Sequence, residues 1–346
     1  MSGNSDVKVC VFGSGSFGTA VATVIARNGF KVCMLTRRSD VAKTINGEHR
    51  NPSHLSEFSL PPNLTATESN EDAVQGCAFI VHSIPVQASF EFLKERAEII
   101  PAGIPIICTS KGLHTETLET MKEIIPRALG RQQPCAYLSG PTFAAELMKC
   151  LPAGATVASE DLDLAKRIAP LFASDWFRIY TTVDVIGIEV GGALKNVYAI
   201  MAGMAEGMGF GLNTAALLVT LSCRELNQFA QAMGADPTTL SGLAGMGDLM
   251  LTCMGGLSRN RTVGVRLGKG ESMQDILEDR KKGLAGVAEG VATAPAALKV
   301  ADRYNLRAPI VRTMAKVIDG SLTAQEALQA LMKVPANSDL VVGATL

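Results

Sequence analysis

The chain has 346 residues, too many for one ordinary core and suited to two domains. Hydrophobic residues make up 47%, enough for a well-packed globule, and aromatics only 5%, which offers no stacking platform for nucleic acid. Lys and Arg number 32 against 33 Asp and Glu, so the net charge is −1. With no long run of either sign, neither nucleic acid nor stable membrane association is expected.

In chain order, residues 7–12 form a short apolar stretch fit for a buried parallel strand, and Gly13, Gly15 and Gly18 follow it. An Ala/Val/Ile stretch at helical spacing, 19–27, comes next. Strand, G-x-G-x-x-G and helix in that order make a dinucleotide site. The first glycine permits the tight turn, the second leaves room for a pyrophosphate, and the third lets the helix approach the strand. Residues 31–36 read as the second strand, and its tip is Arg37-Arg38 where an NAD-selective site presents a carboxylate; Asp40 comes slightly late. Two guanidiniums there suit a 2′-phosphate, so NADPH is slightly favoured over NADH. A solvated basic turn is the alternative.

Residues 51–62, rich in Pro and Ser, read as an ordered loop beside the cofactor half. Strand cores follow at 78–82 and 104–109, each after an acidic or amphipathic stretch, 70–75 and 88–99, read as helical. His82 ends one of these strands and reads as a core histidine more than a catalytic base. Lys111, just past the next strand and followed by Gly112, can reach substrate or the nicotinamide ribose. Further strands are expected at 137–139, 155–158 and near 178–180, with a helix at 161–172. Gly140 can bring backbone N–H groups against an anion, and Thr142 can cap a helix over 143–149.

From about residue 183 the texture changes to long Ala/Gly/Met/Leu runs, which suit helices at 188–208, 213–233, 273–279, 291–304, 310–319 and 323–332. The expected architecture is an α/β Rossmann-type dinucleotide-binding domain, 1–188, followed by an all-helical substrate domain, 189–346. The cleft between domains is the default substrate site. Gly191-Gly192 in a helix signals close approach of another group, since each glycine costs about 1 kcal/mol relative to Ala. Lys195, set in a long apolar helix, is a candidate proton donor or acceptor. Asp248 and Thr252, four apart, share one helical face, and Asp248 can orient the Lys195 ammonium. Ser258, Arg259, Asn260 and Arg261 line up the donors a phosphate dianion wants. Glu289, after the Lys281-Lys282-Gly283 loop, can reach a ribose or the nicotinamide amide.

The eight cysteines show no CxxC and no metal-ligand spacing, and no pair of the four histidines has one, so no metal is expected. Without a signal peptide or an apolar run of about 18 residues, a cytoplasmic setting is expected.

Seven segments carry a resemblance: GSGSFGTA at 13–20, SKGL at 110–113, SGPTFAAE at 139–146, GGALKN at 191–196, GLAGMGDLMLTC at 242–253, SRNRTVG at 258–264 and AEG at 288–290. In this order they resemble the soluble NAD(P)-dependent glycerol-3-phosphate dehydrogenase family, close to its bacterial form. The resemblance implies reversible oxidation of sn-glycerol 3-phosphate to dihydroxyacetone phosphate, in a homodimer. It implies that Ser16, Phe17, Arg37, Lys111, Ala144, Arg259, Val287 and Glu289 contact the dinucleotide. It places Lys111, Gly140, Thr142, Lys195, Asp248, Ser258, Arg259 and Asn260 around the substrate, with Lys195 as proton acceptor. Thr142 stands where the family often has Ser, which keeps the hydroxyl. The tail ends Ala344-Thr345-Leu346 without the peroxisome-type signal of some eukaryotic members, which again favours the cytoplasm. Two other functions fit the same two-domain plan: a related β-hydroxyacid dehydrogenase, and a non-catalytic dinucleotide sensor.

Overall fold

The structure is a computed structural model and describes residues 4–281 and 288–333. Val287, Lys282-Gly283 and the tail from Ala344 lie outside the described residues.

The eight strands are β1 Lys8–Phe12, β2 Lys31–Leu35, β3 Leu64–Thr67, β4 Cys77–His82, β5 Ile106–Cys108, β6 Cys135–Ser139, β7 Ala153–Ala158 and β8 Phe177–Thr182. They form one sheet in the order β3-β2-β1-β4-β5-β6-β7-β8. Val9 to Phe12 are all fully buried, the pattern of a central parallel strand covered on both faces. The chain builds outward from β1 to β2 and β3, then returns to pair β4 on the other side of β1. That reversal makes a switch point beside β1, where ligands bind outside the carboxyl ends of the strands. Pairing is parallel throughout except between β6 and β7, where Ser139 lies opposite Thr156.

Helix Ser16–Arg27 covers the sheet with residues 18–26 buried, and Asn28 and Gly29 end it. Asp161 caps helix Leu162–Phe172 by accepting from the backbone N–H of Asp163 (2.9 Å) and Leu164 (3.2 Å). Helix Met121–Leu129, absent from the sequence reading, opens on a capping box between Thr120 and Glu123 and keeps Pro126 inside.

The chain divides into two compact units. One comprises the residues up to Lys111 with Glu119–Glu189, and the other Gly112–Leu118 with the chain from Val190 onward. Among its described residues the second unit is helical, with helices that include Leu212–Ala232, Asp248–Met254, Arg259–Gly268, Glu289–Arg303 and Pro309–Ile318. Within it, helices Val185–Gly207 and Arg259–Gly268 meet through glycines. A Cβ added at Gly203 would strike the Arg261 carbonyl, and one at Gly264 the Ile200 carbonyl. Elsewhere in the unit Glu225, 3% exposed, spans the start of helix Pro309–Ile318. Its carboxylate accepts from the N–H groups of Ile310 and Val311, both at 2.8 Å.

One expectation is corrected here. Helix Val185–Gly207, with a mean hydropathy of 1.3 over its apolar window, is long and apolar enough to cross a membrane by length and composition. That window is 83% buried inside the protein, as befits a core helix.

Candidate active site

In the first unit the site begins at the turn after β1. Gly13 has φ +104°, a left-handed conformation that a side chain would strain, and an added Cβ would sit 2.9 Å from the Ser83 carbonyl oxygen. Gly18 packs on the Gly13 carbonyl, where a Cβ has no room. A Cβ at Gly15 would meet nothing within 4 Å, so its missing side chain serves an open approach and not internal packing. Gly15 is also the N-cap of helix Ser16–Arg27 and has no side chain to satisfy the first N–H groups. Those N–H groups, the dipole and the open face fit a pyrophosphate. A dinucleotide would therefore be held by Gly13, Gly15, Ser16 and Gly18. Phe17 is half-buried and packs on the sheet core, as does Ala144.

A fully buried residue that the sequence reading missed braces this turn. Asn51 donates to the Ser14 carbonyl (2.9 Å) and to Thr19 Oγ1 (2.8 Å). Its own carbonyl accepts from the N–H groups of Ser53 (3.0 Å) and His54 (3.2 Å). Its only sequence signal is the Asn-Pro turn dipeptide. At the tip of β2, Arg38 pairs with Asp40 and donates to Ser53 Oγ at 2.8 Å. Arg37 is exposed and forms no ion pair with another described residue.

His82 is wholly buried, with Nε2 2.8 Å from Ser89 Oγ. Burial pushes its pKa down to about 3, so it stays neutral as a core residue. Next to it, Ser83 Oγ and Thr109 Oγ1 are 2.6 Å apart. Lys111 precedes the left-handed Gly112 (φ +141°) and directs Nζ to the Gly140 carbonyl at 3.5 Å. Thr142 Oγ1 donates to the same carbonyl at 3.1 Å. Thr142 is not a helix cap: helix Ala144–Met148 has Phe143 as N-cap, because the hydroxyl turns back to Gly140. Gly140 itself lies against β7, where a Cβ would be 2.8 Å from Ala155 Cα.

In the second unit Lys195 and Asp248 form a buried ion pair, Nζ to Oδ1 2.5 Å, with side chains 9% and 2% exposed. The pair exists because two helices approach closely. A Cβ on Gly191 would lie 2.8 Å from the Ala244 carbonyl oxygen, just ahead of helix Asp248–Met254. The tight segment Leu243–Gly247 is a π-type turn that delivers Asp248 as the first helical residue. Thr252 Oγ1 donates to the Asp248 carbonyl (2.6 Å) and lies 3.5 Å from its carboxylate. Cys253 is buried beside them, and desolvation pushes its thiol up to about 12, so it stays protonated.

Asn196, the neighbour of Lys195, ties three helices together. Its Oδ1 accepts from Asn260 Nδ2 (2.9 Å), and its Nδ2 donates to Glu289 Oε2 (3.4 Å). Asn260 Oδ1 in turn accepts from the Gly290 N–H (2.9 Å). Ser258 is the N-cap of helix Arg259–Gly268 and accepts from Arg261 N–H at 3.2 Å. Arg261 is committed to Glu206 at 2.5 Å, whereas Arg259 is exposed. Among the described residues, no group of three or more His, Cys, Asp or Glu could hold a metal ion.

The family models for the N-terminus and the C-terminus of NAD-dependent glycerol-3-phosphate dehydrogenase match residues 8–165 and 184–329. The chain belongs to the NAD-dependent glycerol-3-phosphate dehydrogenase family. A chloroplastic NAD(+) glycerol-3-phosphate dehydrogenase of Arabidopsis thaliana is 48% identical over 95% of this chain and 78% of its own length. An NAD(P)+ glycerol-3-phosphate dehydrogenase of Leptospira biflexa is 42% identical over 94% of this chain and 97% of its own. The crystal structure of glycerol-3-phosphate dehydrogenase from Coxiella burnetii superposes with a TM-score of 0.88 at 30% identity, covering 94% of this chain and 99% of that one. The Rossmann-type half followed by a mostly helical half is therefore the family's architecture, and an NAD(P)-dependent oxidoreductase is the class to which the chain belongs.

Each unit of this family member thus carries its own cluster. Gly13, Gly15, Ser16 and Gly18 share one turn, and Lys111, Gly140 and Thr142 share one carbonyl. Lys195, Asp248 and Thr252 form a second group, and Asn260 and Glu289 meet through Asn196.

Proposed function

We propose the following division of labour for the reaction of this family. The chain catalyses the reversible NAD(P)-dependent oxidation of sn-glycerol 3-phosphate to dihydroxyacetone phosphate. A dinucleotide held at the glycine turn would supply the hydride acceptor for oxidation and the hydride donor for reduction. Lys195 handles the proton. In oxidation its neutral amine takes the hydroxyl proton; in reduction its ammonium stabilises and protonates the oxygen as negative charge develops there. Asp248 orients that ammonium, and Thr252 holds Asp248. The observation that carries this reading is the buried Lys195–Asp248 pair at 2.5 Å.

Arg259, Asn260 and Ser258 of the helical unit grip the substrate phosphate, and Lys111, Gly140 and Thr142 are the substrate-contacting candidates of the first unit. The exposed guanidinium of Arg259 supports this role, since a dianion wants a charge-assisted donor. Arg259→Ala is expected to lower kcat/KM for glycerol 3-phosphate by roughly 100-fold, from the loss of a charged hydrogen bond. With unphosphorylated glycerol the loss should be much smaller, and equal losses on both would contradict the phosphate clamp.

NADPH is slightly favoured over NADH. Asp40, the carboxylate that would repel a 2′-phosphate, is paired with Arg38, which leaves Arg37 to meet it. The check is the ratio of kcat/KM for NADPH and NADH before and after Arg37→Ala. A strong NADH preference untouched by the substitution would overturn it. The compartment is reducing and cytoplasmic, a reading supported by eight free cysteines, and fractionation that found the protein in an oxidising compartment would contradict it.

A further inference from the structure

We infer that His54 is a cofactor-contacting residue, placed by the loop that follows helix Ser39–Glu48 to meet the pyrophosphate of the bound dinucleotide. This rests on the proposed binding of the dinucleotide at the glycine turn. The loop is built to hold a position. The Leu60 N–H donates to the His49 carbonyl (2.7 Å) and closes it, and Phe58 N–H donates to Leu55 (3.0 Å) inside it. Leu55 and Phe58 pack on the sheet core, which secures the loop from below. Asn51, with no exposed surface, bonds the Ser14 carbonyl on one side and the His54 N–H on the other, so loop and glycine turn are fixed to each other. Arg38 binds Ser53 Oγ and ties the same loop to the tip of β2.

The outcome is an exposed imidazole whose Nδ1 is 3.3 Å from Ser16 Oγ. Ser16 is the first residue of the helix whose N-terminal N–H groups are the proposed seat of the pyrophosphate. An imidazole at that place presents an N–H donor, and a positive charge when protonated, to the most anionic part of the ligand. A pyrophosphate contact is common to NADH and NADPH, so His54 contributes to affinity without discriminating between them. Arg37 discriminates and His54 does not.

Binding titrations with NADH, NADPH, ADP-ribose and adenosine separate the roles, using wild type, His54→Ala and His54→Gln. For His54→Ala we expect roughly ten-fold weaker binding of NADH, NADPH and ADP-ribose alike, the effect of one lost charge-assisted hydrogen bond. Adenosine, which has no phosphate, should bind unchanged, and His54→Gln should recover part of the loss through its amide donor. Unchanged ADP-ribose binding in His54→Ala overturns the inference. So does a loss confined to NADPH, which would place the imidazole at the 2′-phosphate, or an equal loss with adenosine, which would make the residue a mere prop of the loop. If wild type itself failed to bind ADP-ribose, the dinucleotide site would be wrong and His54 would fall with it.

Discussion

Asp248 and Glu225 are both almost wholly buried carboxylates, and their partners decide what each can do. Asp248 faces an ammonium at 2.5 Å, so charge is balanced within the buried pair. Glu225 faces backbone N–H groups, and burial outweighs those bonds, raising its pKa to about 7. The folded state therefore holds a proton on Glu225 at pH values where the unfolded chain, near 4.5, has released it. Its contribution to stability is complete below the unfolded pKa and is lost as pH rises through about 7. Glu225→Gln does not titrate, so it should gain on wild type by on the order of 3 kcal/mol between pH 5 and pH 8. Urea unfolding of both proteins at the two pH values measures this. A stability difference that stays constant, or that moves the other way, contradicts the assignment.

Glycine contacts give the helix pair its geometry and set the distance between Lys195's helix and the helix that begins at Arg259. Gly203 and Gly207 on one, with Gly264 and Gly268 on the other, bring backbone against backbone. Helix propensity alone predicts that Gly264→Ala stabilises by about 1 kcal/mol. The blocked Ile200 carbonyl predicts the opposite, a destabilisation of roughly 3 kcal/mol from overpacking. A rise in the denaturation midpoint of Gly264→Ala would show that the helices separate at little cost. The sign of the change decides between the two.

The same contrast explains which elements were legible in the sequence. Apolar runs such as those of β1, β2 and β4 announce themselves, because strands buried on both faces must be apolar throughout. β3, Leu64–Thr67, was missed: it is a four-residue edge strand with alternating burial that begins just after Pro61-Pro62. Helix Met121–Leu129 was hidden by Pro126, although its capping box was readable at Thr120 and Glu123. At the site, Lys195 and Asp248 stood out as charges in apolar helices, and the structure brings them together. Asn51 and His54 carry no such signal, since an Asn-Pro turn and a surface histidine gain meaning only from what lies beside them. Thr142 shows the converse: a residue that fits a cap by local pattern satisfies a carbonyl of the preceding turn instead.

At the level of the whole molecule, the chain divides into an α/β unit with an open glycine turn and a helical unit with a buried Lys195–Asp248 ion pair. We propose that it functions as a homodimer. Exposed Phe210, Leu212, Leu217, Met250, Met254 and Leu257 give the helical unit apolar surface beyond its own core, and a partner copy would bury it. Light scattering at micromolar concentration should return twice the single-chain mass, and a single-chain mass would contradict this. The most direct test of the whole account is single-turnover hydride transfer in Lys195→Ala at saturating glycerol 3-phosphate and dinucleotide. The account predicts a fall of about 10²–10⁴-fold, the worth of a positioned acid–base group, with dinucleotide affinity retained in the folded variant. A folded Lys195→Ala protein that transferred hydride at the wild-type rate would contradict it.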